Sequence, residues 1–400
     1  MRTEDIRQLI PDYAIAIIDR FSKNQKQAYI VGGSLRDMML GKLPNDFDMA
    51  TSALPEETME IFSDMRVIAT GIKHGTVTVI ADGNPVEITT FRVDGSYTDS
   101  RHPDFVSFTP DVKEDLARRD FTVNAMAYAP GADVIDPFCG AEDIKKRVLR
   151  AVGEPEKRFN EDALRIMRAF RFSAQLGFSI HKDTLSGIER TRSGLSGIAR
   201  ERIATELLKL LISKDPADAL ENMISLGVMP YVTGEYVPER RVLSGISQMP
   251  ATDTARLGFF LSSCDVDSAR AILHSLKYSN KQITGALAVA RGSLKTVRDE
   301  ADARRFIAEH GVYAGEAIRA AYLLGNSSEE AIAMVDGSRG ACRISELEIS
   351  GRELGAIGFR GKEIGEVLCI LMDAVIADPS LNTREGLVSM ATELKRTREK

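Results

Sequence analysis

Residues 29–51 read YIVGGSLRDMMLGKLPNDFDMAT: an apolar strand, two glycines, a short helix, then a second strand carrying Asp46, Phe47, Asp48 and Met49. Side chains alternate along a strand, so Asp46 and Asp48 are expected on one face and Phe47 and Met49 on the other. Two carboxylates on one face can share a divalent cation. A solvated edge strand, or a pair capping nearby helices, would give the same Asp-x-Asp spacing. The preceding GGSLRD changes the balance, because glycines at a helix start expose backbone N–H groups that can cradle phosphate. Acids beside a phosphate cradle call for Mg2+, which prefers carboxylate, phosphate and water oxygens. The chemistry expected is two-metal nucleotidyl transfer, with a 3'-hydroxyl activated and pyrophosphate leaving. Glu87, between Val86 and Ile88 on a neighbouring predicted strand, is a candidate third carboxylate or the exposed side of a half-buried strand.

Outward from this stretch, QAYIVGG, DFDMAT, HGTVTVI, VEITTF and DVIDPF carry strand signals within residues 1–140. They predict a small mixed sheet with helices against it. Asp82-Gly83-Asn84-Pro85 divides two alternating runs and predicts a hairpin, with Pro85 fixing the reversal. After residue 140 the apolar spacing turns helical, as in EDALRIMRAFRFSAQLG and RERIATELLKLLIS. A linker is expected around YVTGEYVPERRVLSGISQMP, and glycines divide short helices in the closing ISGRELGAIGFRGKEIGEVL.

The whole chain sets outer bounds. Its 400 residues and 44% hydrophobic content suffice for two to four cooperative units. A net charge of -6 excludes a uniformly basic nucleic-acid coat, although residues 142–171 hold nine Lys or Arg against six Asp or Glu. That local excess suits an RNA-facing seam or a solvated face. Four scattered cysteines without Cys-x-x-Cys spacing argue against zinc ribbons and a disulfide framework and fit a reducing compartment. With neither a signal-like apolar core nor a membrane-length apolar run, a cytoplasmic location is expected. Five histidines show no cluster, so His74 in KHGTV is read as a loop organiser or phosphate neighbour.

GGSLRDMMLG followed by DFDMAT resembles the opening signature of the nucleotidyltransferase superfamily, and more narrowly the bacterial class II tRNA nucleotidyltransferase and poly(A) polymerase family. HGTV, VEITTFR, LARRDFTVNAMAY, DPFCGAEDI and RFNEDALRIMRAFRFSAQLGF follow in family order, and the tail resembles bacterial members. The resemblance implies an α+β multidomain fold. Its parts would be a nucleotidyltransferase head (1–140), a helical neck with the nucleotide-recognition element (141–212), a helical body (213–330) and a helical tRNA-binding tail (331–400). It implies addition of CMP, CMP and AMP from CTP and ATP to the 3' end of tRNA, with Mg2+ as cofactor and no obligate protein partner. Addition of the terminal A alone, repeated AMP addition, and an inactive RNA-binding scaffold are the alternatives.

By the same resemblance, Asp46 and Asp48 hold the metal, and Gly32, Gly33, Ser34 and Arg36 surround the triphosphate. Arg36 with Asp37 could also be a plain surface ion pair. Arg118, Arg119, Asp120 and Asn124 are placed near ribose and phosphates, with Asp120 and Asn124 expected to face together on a helix. Asp162 and Arg165 resemble the pair that reads the incoming base, expected on adjacent ridges of one helix. An ordinary salt bridge between them is the plainer account. Arg168 and Arg171 follow, steadying the nucleotide pocket or contacting RNA. RVDGSYTDSRHPDFVSF, residues 92–108, looks like the flexible loop of enzymes that add the terminal A, or a plain surface loop.

Overall fold

The structure is a computed structural model, and it describes residues 3–95, 106–338 and 341–398. It divides into two compact units, Met1–Glu235 and Tyr236–Lys400. Residues 96–105, most of the segment compared with the terminal-A loop, lie outside the described residues; the flanking strands Arg92–Asp94 and Val106–Phe108 pair antiparallel.

The first unit is built on a six-stranded mixed sheet. Its strands are β1 (Ala28–Val31), β2 (Asp48–Thr51), β3 (Arg66–Gly71), β4 (Thr76–Ala81), β5 (Asn84–Thr90) and the short Ala127–Tyr128 at the edge beside β1. The order is β3-β4-β5-β2-β1 and then Ala127–Tyr128, with β2 and β5 parallel and the other neighbours antiparallel. Alternation explains the central strands. Val77, Val79 and Ala81 of β4 and Val86 and Ile88 of β5 are buried, while the residues between them are more open.

Three local readings are corrected. Asp82 (φ 48°) and Gly83 (φ 79°) form the hairpin turn, whereas Pro85 already belongs to β5 opposite Ile80. Positive φ at both central residues matches the right-handed twist of the flanking strands, which Pro could not supply. DVIDPF contributes only a single bridge, Ile135 to Ala127, because Asp136 turns to cap the helix Gly140–Lys146 through the N–H groups of Gly140 (2.7 Å) and Ala141 (2.9 Å). The strands β3 and Ala127–Tyr128 were not expected from their surroundings. The first is short of clean alternation and the second has two residues.

The remainder of this unit is helical, including Pro155–Glu161, Leu164–Leu176, Lys182–Thr191, Arg200–Leu211 and Ala217–Ser225. Leu164–Leu176 ends at Gly177, whose positive φ and bond to the Ser173 carbonyl close the last turn. The second unit contains helices throughout its regular structure among the described residues. One of its apolar clusters gathers Ala303, Phe306, Ala317, Ile318 and Ala321, and another gathers Leu354, Phe359, Val367, Leu371 and Leu387. The closing glycines divide Gly351–Ile357 from Lys362–Ala377, with positive φ at Gly358 and Gly361. No helix among the described residues is long and apolar enough to cross a membrane.

Gly140 connects packing to the site. A methyl group there would stand 2.2 Å from the Thr122 carbonyl oxygen and 3.0 Å from Met126 Sδ, beside the 3-10 turn Thr122–Asn124. Gly140→Ala is therefore expected to cost about 1–3 kcal/mol through overpacking against backbone that cannot yield. Urea denaturation checks this; an unchanged midpoint would show that the turn moves freely.

Candidate active site

The glycine helix starts directly from β1. Val31 is extended, Gly32 takes φ 67°, and the helix Gly32–Met39 follows. Gly32 has a second reason to lack a side chain: a Cβ would lie 3.1 Å from Nη1 of Arg119. Ser34 is buried, and its hydroxyl accepts the Asp48 N–H at 3.0 Å, so it ties the helix to the start of β2. Arg36 donates to Asp37 Oδ1 through Nε (2.9 Å) and to Asn124 Oδ1 through Nη1 (2.8 Å). The Arg36–Asp37 ion pair forms, but Arg36 is buried rather than on the surface and lines the cavity described next.

Regular strand begins at Asp48, and Asp46 lies in the bend before it. Both acids nevertheless line one cavity of about 630 Å3, while Phe47 and Met49 are buried in the core. Glu87 stands opposite Asp48 in the parallel β2–β5 register, which puts both side chains on one sheet face. It is exposed and does not line the cavity. Burial first, then the charges of Asp46 and Glu87, push the Asp48 carboxyl up to about 6, against the opposing pull of Arg119.

Every other nucleotide-site residue expected from the sequence lines this cavity except Ser34. The wall from Arg118 to Asn124 differs from the expected helix. The helix Val112–Ala117 ends first, Phe121 makes a bridge to Ala151, and Thr122–Asn124 is a 3-10 turn. Asp120 and Asn124 still meet, because Asn124 Nδ2 donates to Asp120 Oδ1 at 3.1 Å across that irregular stretch. Burial works against the Asp120 carboxylate, yet Arg168, the Asn124 bond and Arg165 win and hold its pKa well below the usual range.

The expectation that Asp162 and Arg165 share one helix is corrected likewise. Asp162 is extended (φ -145°, ψ 104°) and separates Pro155–Glu161 from Leu164–Leu176, so Asp162 and Arg165 do not share one helix. Asp162 Oδ1 caps the second helix through the Leu164 N–H (3.0 Å), and Oδ2 accepts from Arg202 (2.9 Å). Arg165 donates to the Arg118 carbonyl at 3.0 Å and lies 3.6 Å from Glu161. Capping competes with continuing the helix, and an Asp at a break uses its short side chain for the orphan N–H. Arg168 pairs with Asp120, its Nη2 at 2.6 Å from Oδ2, and Arg171 pairs with Glu206.

Several contributors were missed. Asp115 is buried and holds Arg118 (2.9 Å) and Arg119 (3.1 Å) together. Burial opposes its charge, but the two guanidiniums prevail and lower its pKa. The i,i+3 and i,i+4 spacing in DLARR was the available signal. Arg202 and Lys209 line the cavity from Arg200–Leu211, and Phe172 lines it from Leu164–Leu176. Arg202, Glu206 and Lys209 share one helical face by spacing. Arg92 donates to the His74 carbonyl, and His74 does not line the cavity.

Eight basic and four acidic side chains line this cavity, a local excess of positive charge in a chain of net charge -6. Residues 28–150 match the family model described as the poly A polymerase head domain. Residues 177–238 match the one described as the probable RNA and SrmB-binding site of polymerase A. A CCA-adding enzyme of Leuconostoc mesenteroides is 38% identical over 374 residues, covering 92% of each chain. The chain belongs to the family of CCA-adding enzymes. That of Geobacillus stearothermophilus is 36% identical and covers 97% of this chain and 98% of its own. The crystal structure of the Bacillus stearothermophilus CCA-adding enzyme in complex with CTP superposes with a TM-score of 0.83 at 33% identity, covering 97% of this chain and 98% of that one.

Membership in this nucleotidyltransferase family implies dependence on a divalent metal. Among the described residues no group of three or more His, Cys, Asp or Glu is gathered as a metal cage. The donors present fit a hard cation all the same. Asp48 is crowded by Asp46 and Glu87 without enough positive charge to offset them, and an ion of this class completes its shell with substrate phosphate and water.

The raised Asp48 pKa sets a pH prediction. Ionisation costs the folded state more than the unfolded chain, so this site contributes most below about pH 4 and the contribution is lost as pH rises through about 6. Without divalent cations, Asp48→Asn should exceed the parent in stability by on the order of 2 kcal/mol at pH 8, a gap that closes towards pH 4. Paired urea titrations measure it, and a gap independent of pH would contradict it. Asp115→Asn should lower stability by about 3 kcal/mol, because two guanidiniums lose their buried partner.

Proposed function

We propose that this chain adds CMP, CMP and AMP, from CTP and ATP and without a nucleic-acid template, to the 3' end of tRNA. The observation that carries the reading is one cavity in which Asp46 and Asp48 face a wall rich in guanidinium groups. Relatives named CCA-adding enzymes over nearly the whole length support it, as does the likeness to a CTP complex. A poly(A) polymerase would fit the match to the head domain, and the names of these full-length relatives favour CCA addition. A cytoplasmic location accords with four cysteines that form no disulfide.

In this reading Asp46 and Asp48 hold Mg2+, which supplies charge neutralisation at the attacking and leaving oxygens. The start of the glycine helix, Arg36, Arg118 and Arg119 bind the triphosphate, where forked donors match phosphate oxygens. Ser34 holds the β2 backbone at Asp48, and Glu87 keeps negative charge beside it. Asp120 and Asn124 serve the ribose side and anchor Arg168 and Arg36. Asp162 and Arg165 offer an acceptor and a donor fork to the base edge. Arg202 fixes the Asp162 carboxylate from a different helix, so the acceptor is oriented before any base arrives. Of the 142–171 basic residues, Arg165, Arg168 and Arg171 line the nucleotide cavity, and the remainder are left to meet RNA, whose A-form helix is read by shape and 2'-hydroxyls.

The deciding experiment gives the pure protein tRNAs lacking the last three, two or one nucleotides, with CTP, ATP or both. Addition at all three positions is expected; growth by A alone, or long A tails, would overturn the assignment. Asp46→Asn and Asp48→Asn should each lower turnover by at least about a hundredfold while tRNA affinity stays within about twofold, the pattern for a group acting in the transition state. Arg165→Ala should chiefly change the ratio of CTP to ATP use, read as kcat/KM for each nucleotide.

A further inference from the structure

Phe172 sits in the cavity wall with 6% of its surface exposed, among charges rather than in an apolar core alone. Its ring centroid lies 3.9 Å from the guanidinium carbon of Arg171, 5.1 Å from that of Arg168 and 5.2 Å from that of Arg36. The ring is itself oriented by Phe121, fully buried, which meets it edge-on at 5.8 Å and 82°. These three arginines come from two elements, the glycine helix and Leu164–Leu176. Each is also held by a polar partner: Asn124 for Arg36, Asp120 for Arg168, Glu206 for Arg171.

Three like charges gathered this closely repel one another, and their polar partners, Asp37 and Asn124 for Arg36, Asp120 for Arg168, Glu206 and Gln175 for Arg171, lie at the edges of the guanidinium planes and leave the faces open. An aromatic ring attracts cations to its π system without neutralising them, so it can hold the group together while leaving its charge available to an anion. An aliphatic side chain of similar size would fill the same space and supply none of that attraction. We propose that Phe172 is a positioning residue for nucleotide binding: its ring holds Arg36, Arg168 and Arg171 in fixed places around the cavity so that their free donors meet the nucleotide already oriented.

This inference rests on the nucleotidyl-transfer reading, and its test separates the two. CTP and ATP are titrated against the full chain in the absence of tRNA, for the parent, Phe172→Leu and Phe172→Tyr, alongside thermal unfolding and steady-state addition to tRNA. Phe172→Leu should bind both nucleotides about tenfold more weakly, the effect of losing ring contacts worth roughly one factor of ten in an equilibrium. Phe172→Tyr should restore most of the affinity, and KM for tRNA should hold in both variants. Parental affinity in Phe172→Leu, or equal losses in the Leu and Tyr variants, would overturn the role of the ring. If Phe172→Leu does not fold, Phe172→Met replaces it under the same criteria. Failure of the parent to extend tRNA while it binds nucleotide would instead overturn the catalytic reading and leave the affinity comparison to decide the ring.

Discussion

The site depends on one buried carboxylate. Asp120 Oδ1 accepts the Phe121 N–H at 2.8 Å and the Asn124 amide, while Oδ2 accepts Nε of Arg168 at 2.8 Å. Asn124 in turn accepts from Arg36. A charge in so dry a place is tolerable only when every oxygen is satisfied, and the same requirement locks its partners in place. The irregular stretch Arg118–Asn124, the glycine helix and the helix Leu164–Leu176 thus hold a common geometry through a single side chain.

Around this anchor, positive charge is concentrated rather than spread. The chain as a whole is acidic, yet the cavity carries twice as many basic as acidic side chains. The buried acids Asp115 and Glu206 hold arginines in place, whereas Asp46 and Asp48 have no salt-bridge partner among the described residues. A polyanionic substrate in this cavity would meet fixed donors on one side and, on the other, carboxylates that positive charge offsets only in part. That asymmetry is what a phosphoryl-transfer site needs, because attraction for phosphate and affinity for a hard cation must coexist a few ångströms apart.

Much of this was legible. Strand alternation located the β4–β5 hairpin, glycine located the start of the helix before Asp48, and motif order pointed to the residues that line the cavity. The exceptions are instructive. Ser34, expected near the triphosphate by family resemblance, does not line the cavity, and its hydroxyl accepts the Asp48 N–H of β2. Asp162 looked helical because EDALRIMRAF has unbroken helical spacing, but its side chain caps the next helix and bonds Arg202, forty residues away. Asp82-Gly83 outcompeted Pro85 for the turn because hairpin twist demands positive φ.

What the sequence determined by itself was whatever short-range rules govern: the period of each strand and helix, the left-handed glycine where β1 turns into the next helix, and the chemistry of each candidate side chain. Partners distant along the chain were decided only by tertiary structure. Nothing in local spacing could join Arg36 to Asn124, Asp120 to Arg168, Asp162 to Arg202 or Phe172 to three guanidiniums. Those choices follow from which charges become buried together, and burial is a property of the folded chain as a whole.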